Sequence, residues 1–106
     1  MEAPGLSQAR IAISKDSIDT FCRRWSVREL ALFGSILRED FSPKSDVDVL
    51  VAFEPGAQRS LFDFVEMRDE LMKLFGRNVD LVSQGGLRNP FRRHEILTTR
   101  QVVYAA

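Results

Sequence analysis

The sequence predicts an α/β fold in which helices pack on a small mixed β-sheet. Two observations carry that prediction. Three short β-rich runs, Glu29 to Phe33, Asp46 to Phe53 and Asn78 to Val82, are separated by stretches whose apolar residues recur at helical spacing. The chain is also one domain long, and 106 residues with 44% hydrophobic content fill one modest core. Residues 1 to 106 are therefore read as one domain, with helices able to cover one sheet face.

Taken in order, Ser14 caps a first helix reaching about Trp25, with Ile13 and Ile18 placed as a hydrophobic staple. Its apolar stripe is Ile18, Phe21, Cys22 and Trp25. Glu29 to Phe33 is a strand that runs into Gly34, where a missing side chain lets the backbone turn and a ligand approach. Ser35 then caps a helical turn over Ile36 to Glu39, and Ser42-Pro43-Lys44-Ser45 marks a loop. Asp46 to Phe53 is the second strand, ended by Glu54-Pro55-Gly56. Ser60 and Asp63 form a capping arrangement for a helix to Phe75, with Gly76 as its stop. The buried side of that helix is expected to be Leu61, Phe64, Val65, Leu71, Met72, Leu74 and Phe75. Asn78 to Val82 is the third strand and Gly85-Gly86 a turn. Asn89-Pro90 starts a helix through Leu97, and Gln101 to Tyr104 forms a last strand.

The candidate chemistry lies where these elements meet. Free backbone N–H groups at the Ser35 turn attract an anionic phosphate, and Arg38, three residues on, adds a charge-assisted hydrogen bond from the same helical face. Alternation along the second strand puts Asp46 and Asp48 on one face and Val47, Val49, Val51 and Phe53 on the other. Two attachment points about 6.6 Å apart let the carboxylates converge on a hard cation, with nucleotide phosphates supplying further oxygens. Leu50 and Ala52 continue that face in apolar form, so the acidic end is expected to be open and the rest covered. Asp80 lies opposite Val79 and Leu81, and completes a three-carboxylate cation trap if its strand pairs beside the first acidic one. It can also accept the proton of an attacking hydroxyl. Taken singly, a Gly-Ser turn, an Asp-x-Asp edge and one more aspartate are ordinary surface features. Their order, spacing and strand placement together point to phosphate chemistry.

Composition narrows the partners. The formal net charge is zero, so no whole-protein field draws the chain to nucleic acid or membrane surfaces. A single cysteine, Cys22, allows no internal disulfide and reads as a buried apolar residue, which suits a reducing cytoplasm. Neither a long apolar segment nor a basic-then-apolar leader is present, so secretion and membrane spanning are not expected. Arg88, Arg92, Arg93 and Arg100 with His94 read first as a solvated helix face, with triphosphate or partner docking as the alternative. His94 has no second histidine or cysteine nearby, so it receives no metal or catalytic role; Tyr104, the only tyrosine, is read as packing at the terminus, with self-modification as the alternative.

The run Gly34-Ser35-Ile36-Leu37-Arg38-Glu39-Asp40-Phe41-Ser42-Pro43-Lys44-Ser45-Asp46-Val47-Asp48-Val49-Leu50-Val51 resembles the signature of the minimal nucleotidyltransferases (MNT) of the DNA polymerase β-like superfamily. Asp80 in Asn78-Val79-Asp80-Leu81-Val82 matches the family's third acid, and Ile96-Leu97 followed by Val102-Val103-Tyr104 is similar to its usual close. Glu39 departs from the pattern, in which glycine commonly follows the arginine. That change bears on the loop or the phosphate contact and leaves the acids in place.

The resemblance implies the nucleotidyltransferase fold and magnesium-dependent transfer of AMP from ATP to a hydroxyl. Gly34, Ser35 and Arg38 would hold the nucleotide, and Asp46, Asp48 and Asp80 would hold two magnesium ions and align the acceptor. It also implies a partner, a HEPN-domain toxin whose tyrosine receives the AMP. Two alternatives stand beside this: an antitoxin that neutralises the HEPN toxin by binding alone, and a stand-alone adenylyltransferase of the aminoglycoside type, which the short chain disfavours.

Overall fold

The computed structural model describes residues 14–37 and 45–106. Ile13, Arg38, Glu39 and the loop residues up to Lys44 lie outside the described residues, so the staple, the arginine contact and most of the loop have no structural account. In order, the elements are α1 (Lys15–Arg24), β1 (Val27–Phe33), a 3-10 turn (Gly34–Leu37), β2 (Val47–Phe53), α2 (Leu61–Phe75), β3 (Val79–Ser83), a second 3-10 turn (Gln84–Gly86), α3 (Pro90–Thr99) and β4 (Gln101–Ala105).

The helix ends follow local chemistry. Ser14 accepts from the Ser17 N–H, and a reciprocal capping box joins Ser60 and Asp63 through two 3.1 Å bonds. Gly76 stops α2 in the left-handed conformation at φ 70°. Pro90 sits in the first turn of α3, where its missing N–H has no partner to lose.

The four strands form one mixed sheet in the order β3-β2-β1-β4. β1 is antiparallel to both β2 and β4, whereas β2 and β3 run parallel. A parallel pair needs a crossover, and α2 supplies it. One sheet face carries the main core: Leu30, Leu32, Val47, Val49 and Val51 pack against Ile18, Phe21 and Cys22 of α1 and Met67, Leu71 and Phe75 of α2. On the other face Ala31, Phe33 and Leu50 pack against Leu87 and Ile96.

Helices therefore cover both faces, where the sequence pattern led us to expect one. The reason is visible in β1, whose alternate positions Leu30 and Leu32, and Ala31 and Phe33, are all apolar and all buried. A second correction concerns α2. Met67, Leu71 and Phe75 are its buried residues, with Phe64, Met72 and Leu74 partly covered, while Leu61 is 78% exposed and Val65 42% exposed. At 3.6 residues per turn Val65 points about 120° away from Leu71 around the helix. The single stripe through 64, 67, 71 and 75 wins over the wider face that hydrophobicity alone suggested.

Candidate functional site

The site is built at the junction of β1 and β2. Phe33, the last residue of β1, pairs with Asp48 of β2, so the chain turns at Gly34 directly beside that carboxylate. Gly34 adopts φ 74°, and a Cβ placed there would lie 2.2 Å from Asp48 Oδ2. Only glycine fits both the conformation and the contact. The sequence placed Ser35 as the cap of a helical turn; instead the 3-10 turn begins at Gly34, with Ile36 fully buried beneath it. The Ser35 backbone N–H donates to the Asp48 carboxylate. The turn thus positions an acid as well as presenting a backbone.

The acids share one face for a simple reason. Val47, Val49 and Val51 occupy the main-core side, which leaves Asp48 and Leu50 on the α3 side. β3 runs parallel in a register that pairs Val47 with Val79 and Asp48 with Asp80. Asp80 therefore stands beside Asp48 on the neighbouring strand, and Asp46 lies one residue before β2 begins. Asp46 and Asp80 are exposed and Asp48 is half-buried. Leu50 and Ala52 are buried farther along, so the acidic end is open and the rest covered, as alternation predicted.

Burial is the main influence pushing the Asp48 carboxyl above the usual carboxylate range, and the negative charges of Asp80 and Asp46 act in the same direction. The Ser35 N–H and the positive charge of Arg92 oppose it. Among the described residues no group of three or more carboxylate, histidine or cysteine side chains is placed to hold a metal ion, so the three-carboxylate trap expected from the sequence is not gathered. The oxygen donors at Asp48, with Asp80 beside it and Asp46 at the strand's entry, still suit a hard cation that takes one or two carboxylates and completes its shell elsewhere.

Sequence reasoning held docking at Arg92 only as an alternative and missed the rest of the wall that faces Asp48. A cavity of about 430 Å³ is lined by Gly34, Asp48 and the α3 residues Phe91, Arg92, Glu95 and Thr99, together with Asn89. The C-terminal basic group, expected mainly as a solvated face, divides in the structure. Arg100 pairs with Glu29 at 2.7 Å and donates to the Leu97 carbonyl, and Arg93 donates to the Gln84 carbonyl at 2.9 Å. Arg88 and His94 are exposed, whereas Arg92 borders the acidic cavity. The signal available in the sequence was the polar stripe Arg92, Glu95 and Thr99 flanking Ile96, one helix after the second acidic strand. Cys22 is fully buried, and burial pushes its thiol up to about 12, which fits a packing role. Among the described residues no helix is long and apolar enough to cross a membrane.

Residues 15–103 match the family described as the nucleotidyltransferase domain. The protein adenylyltransferase MntA of Thermococcus cleftensis is 40% identical over 81 residues, covering 76% of this chain and 77% of that protein. A solved structure of a candidate minimal nucleotidyltransferase superposes with a TM-score of 0.67 at 35% identity, covering 81% of this chain and 85% of its own. A chain in the complex of a tri-AMPylated Shewanella oneidensis HEPN toxin with its MNT antitoxin shares the fold at a TM-score of 0.62 and 18% identity, covering 87% of this chain and 70% of that one.

Proposed function

This chain belongs to the nucleotidyltransferase domain family, and from that premise we propose that it transfers AMP from ATP to a tyrosine hydroxyl of a HEPN-domain toxin and so silences it. The observation that carries the proposal is the paired register of Asp48 and Asp80 beside the Gly34 turn. The relative named as a protein adenylyltransferase supports the reaction, and the AMPylated HEPN complex supports the partner.

Asp46, Asp48 and Asp80 would hold magnesium. When bound, it would neutralise charge on the α-phosphate and on the departing oxygen. The chain's own residues do the rest. Gly34 leaves room for the phosphates to approach the backbone, and Ser35 and Arg38 hold them in place. The tyrosine oxygen bonds to the α-phosphorus as the bond to the pyrophosphate oxygen breaks, and its proton passes to an Asp80 carboxylate oxygen. The Ser35 N–H keeps Asp48 aimed at the site throughout.

Incubation with magnesium, α-labelled ATP and the cognate HEPN protein tests the proposal. Label is expected on a partner tyrosine and is lost in Asp46→Asn and Asp48→Asn variants whose circular dichroism is unchanged. Full transfer by the double variant would remove the proposal.

One observation favours a second reading, neutralisation by binding alone. Leu61, Phe62 and Val65 present an exposed apolar flank on α2, with Phe62 83% exposed. If the double variant neutralises the toxin at the same concentration as the wild type, occupation of the partner's surface is sufficient and transfer is secondary.

A further inference from the structure

The strip of α3 that faces Asp48 has no part in the transfer proposed above. Phe91 is 85% exposed, although burying an aromatic ring of that size is ordinarily favourable. It is not a scattered surface residue, because it borders the same cavity as Asp48 and Gly34. Arg92 borders that cavity too, and its positive charge acts on the Asp48 carboxylate. The cavity volume of about 430 Å³ lies within the range of roughly 300–1,000 Å³ common to small-molecule sites.

The start of α3 offers no free anion site of its own. Asn89 Oδ1 accepts from the Phe91 and Arg92 backbone N–H groups at 3.0 and 3.2 Å, so recognition at this end of the helix falls to side chains. α3 is held rigidly beneath them by Ile96 in the second core and by the Arg93 bond to Gln84. An exposed aromatic face and a guanidinium bordering one cavity with Asp48, the acid whose neighbour across the strands is Asp80, match the two ends of a nucleotide.

We propose that α3 supplies the nucleotide-recognition wall of the site, with Phe91 stacking on the base and Arg92 binding the triphosphate, a role that rests on the nucleotidyl-transfer reading above. Phosphate and base are then read by different residues. The guanidinium fork bonds phosphate oxygens in pairs, while the ring offers its π-face to any purine.

The test is titration calorimetry in magnesium buffer with two probes, a non-hydrolysable ATP analogue and inorganic tripolyphosphate. Both side chains are exposed, so Phe91→Ala and Arg92→Gln should melt with the wild type. Phe91→Ala is expected to weaken the ATP analogue about tenfold and leave tripolyphosphate unchanged, and Phe91→Trp to restore nucleotide affinity. Arg92→Gln should weaken both probes about tenfold or more, with Arg92→Lys recovering only part. Equal weakening of both probes by Phe91→Ala, or unchanged affinity for both in either variant, would overturn the proposal. Unchanged nucleotide affinity combined with a raised KM for the protein acceptor would also overturn it, and would assign the strip to the acceptor while leaving nucleotidyl transfer intact. Wild-type protein that binds neither probe would overturn this proposal together with the reading it rests on.

Discussion

Replacing Gly34 by alanine separates two effects that the structure places at one residue. At φ 74° a Cβ costs about 1–2 kcal/mol in the left-handed region, and alanine returns about 0.4–1 kcal/mol by narrowing the unfolded chain. Gly76, at φ 70° with nothing within 4 Å of a Cβ, carries this backbone effect and nothing else. At Gly34 the same Cβ would stand 2.2 Å from Asp48 Oδ2 and 3.2 Å from its Cγ, so the carboxylate must swing away and give up the Ser35 N–H. A hydrogen bond to a charged group contributes about 1.5–3 kcal/mol, and the low end applies because Asp48 is only half-buried. Asp48 also gains solvation on moving outward, which offsets part of that loss. Gly34→Ala should therefore unfold at lower urea concentration by about 2 kcal/mol, against about 1 kcal/mol or less for Gly76→Ala. Activity should divide the pair more sharply. A displacement of about 1 Å in a catalytic group costs on the order of a hundredfold, so Gly34→Ala should lose about that much transfer while Gly76→Ala keeps wild-type transfer. Urea melts and label transfer measured on both variants decide the matter. If the two lose equal stability and Gly34→Ala transfers normally, the Asp48 contact is not what reserves Gly34.

Three further predictions follow from single features. Because its folded-state pKa is raised, protonated Asp48 favours the fold at acid pH, and that stability is lost as pH rises through the raised value. Asp48→Asn should then be the more stable protein at neutral pH, the gap closing as pH falls; a gap constant with pH in urea melts would mean that the buried carboxylate charge is not its cause. Leu71→Ala should cost about 2–5 kcal/mol and Leu61→Ala no more than about 0.5 kcal/mol, as Leu71 is fully buried and Leu61 78% exposed; comparable losses in thermal melts would mean that the orientation of α2 is wrong. Cys22, fully buried with its thiol pushed up to about 12, should resist a thiol-specific chromogenic reagent in native buffer and react on unfolding; rapid native labelling would contradict its placement.

The elements and much of the acidic face were legible along the chain. Periodicity and caps are local properties, so Ser14, the Ser60–Asp63 box, Gly76 and Asn89-Pro90 announced helix ends that the structure keeps. Alternation put Asp46 and Asp48 opposite the valines, because strand side chains change face at every residue. What these residues meet is a matter of tertiary structure. The parallel register that sets Asp80 beside Asp48 depends on how the α2 crossover returns the chain, which no spacing in the sequence encodes. The same holds for the second covered sheet face and for the outward turn of Leu61 and Val65, since a long apolar stripe does not say which of its edges finds a neighbour. Arg92 was indistinguishable from its basic neighbours until the fold carried α3 across the sheet and set that one of them beside Asp48. Short-range chemistry reads along the chain, whereas a site is assembled by contacts between residues far apart in it.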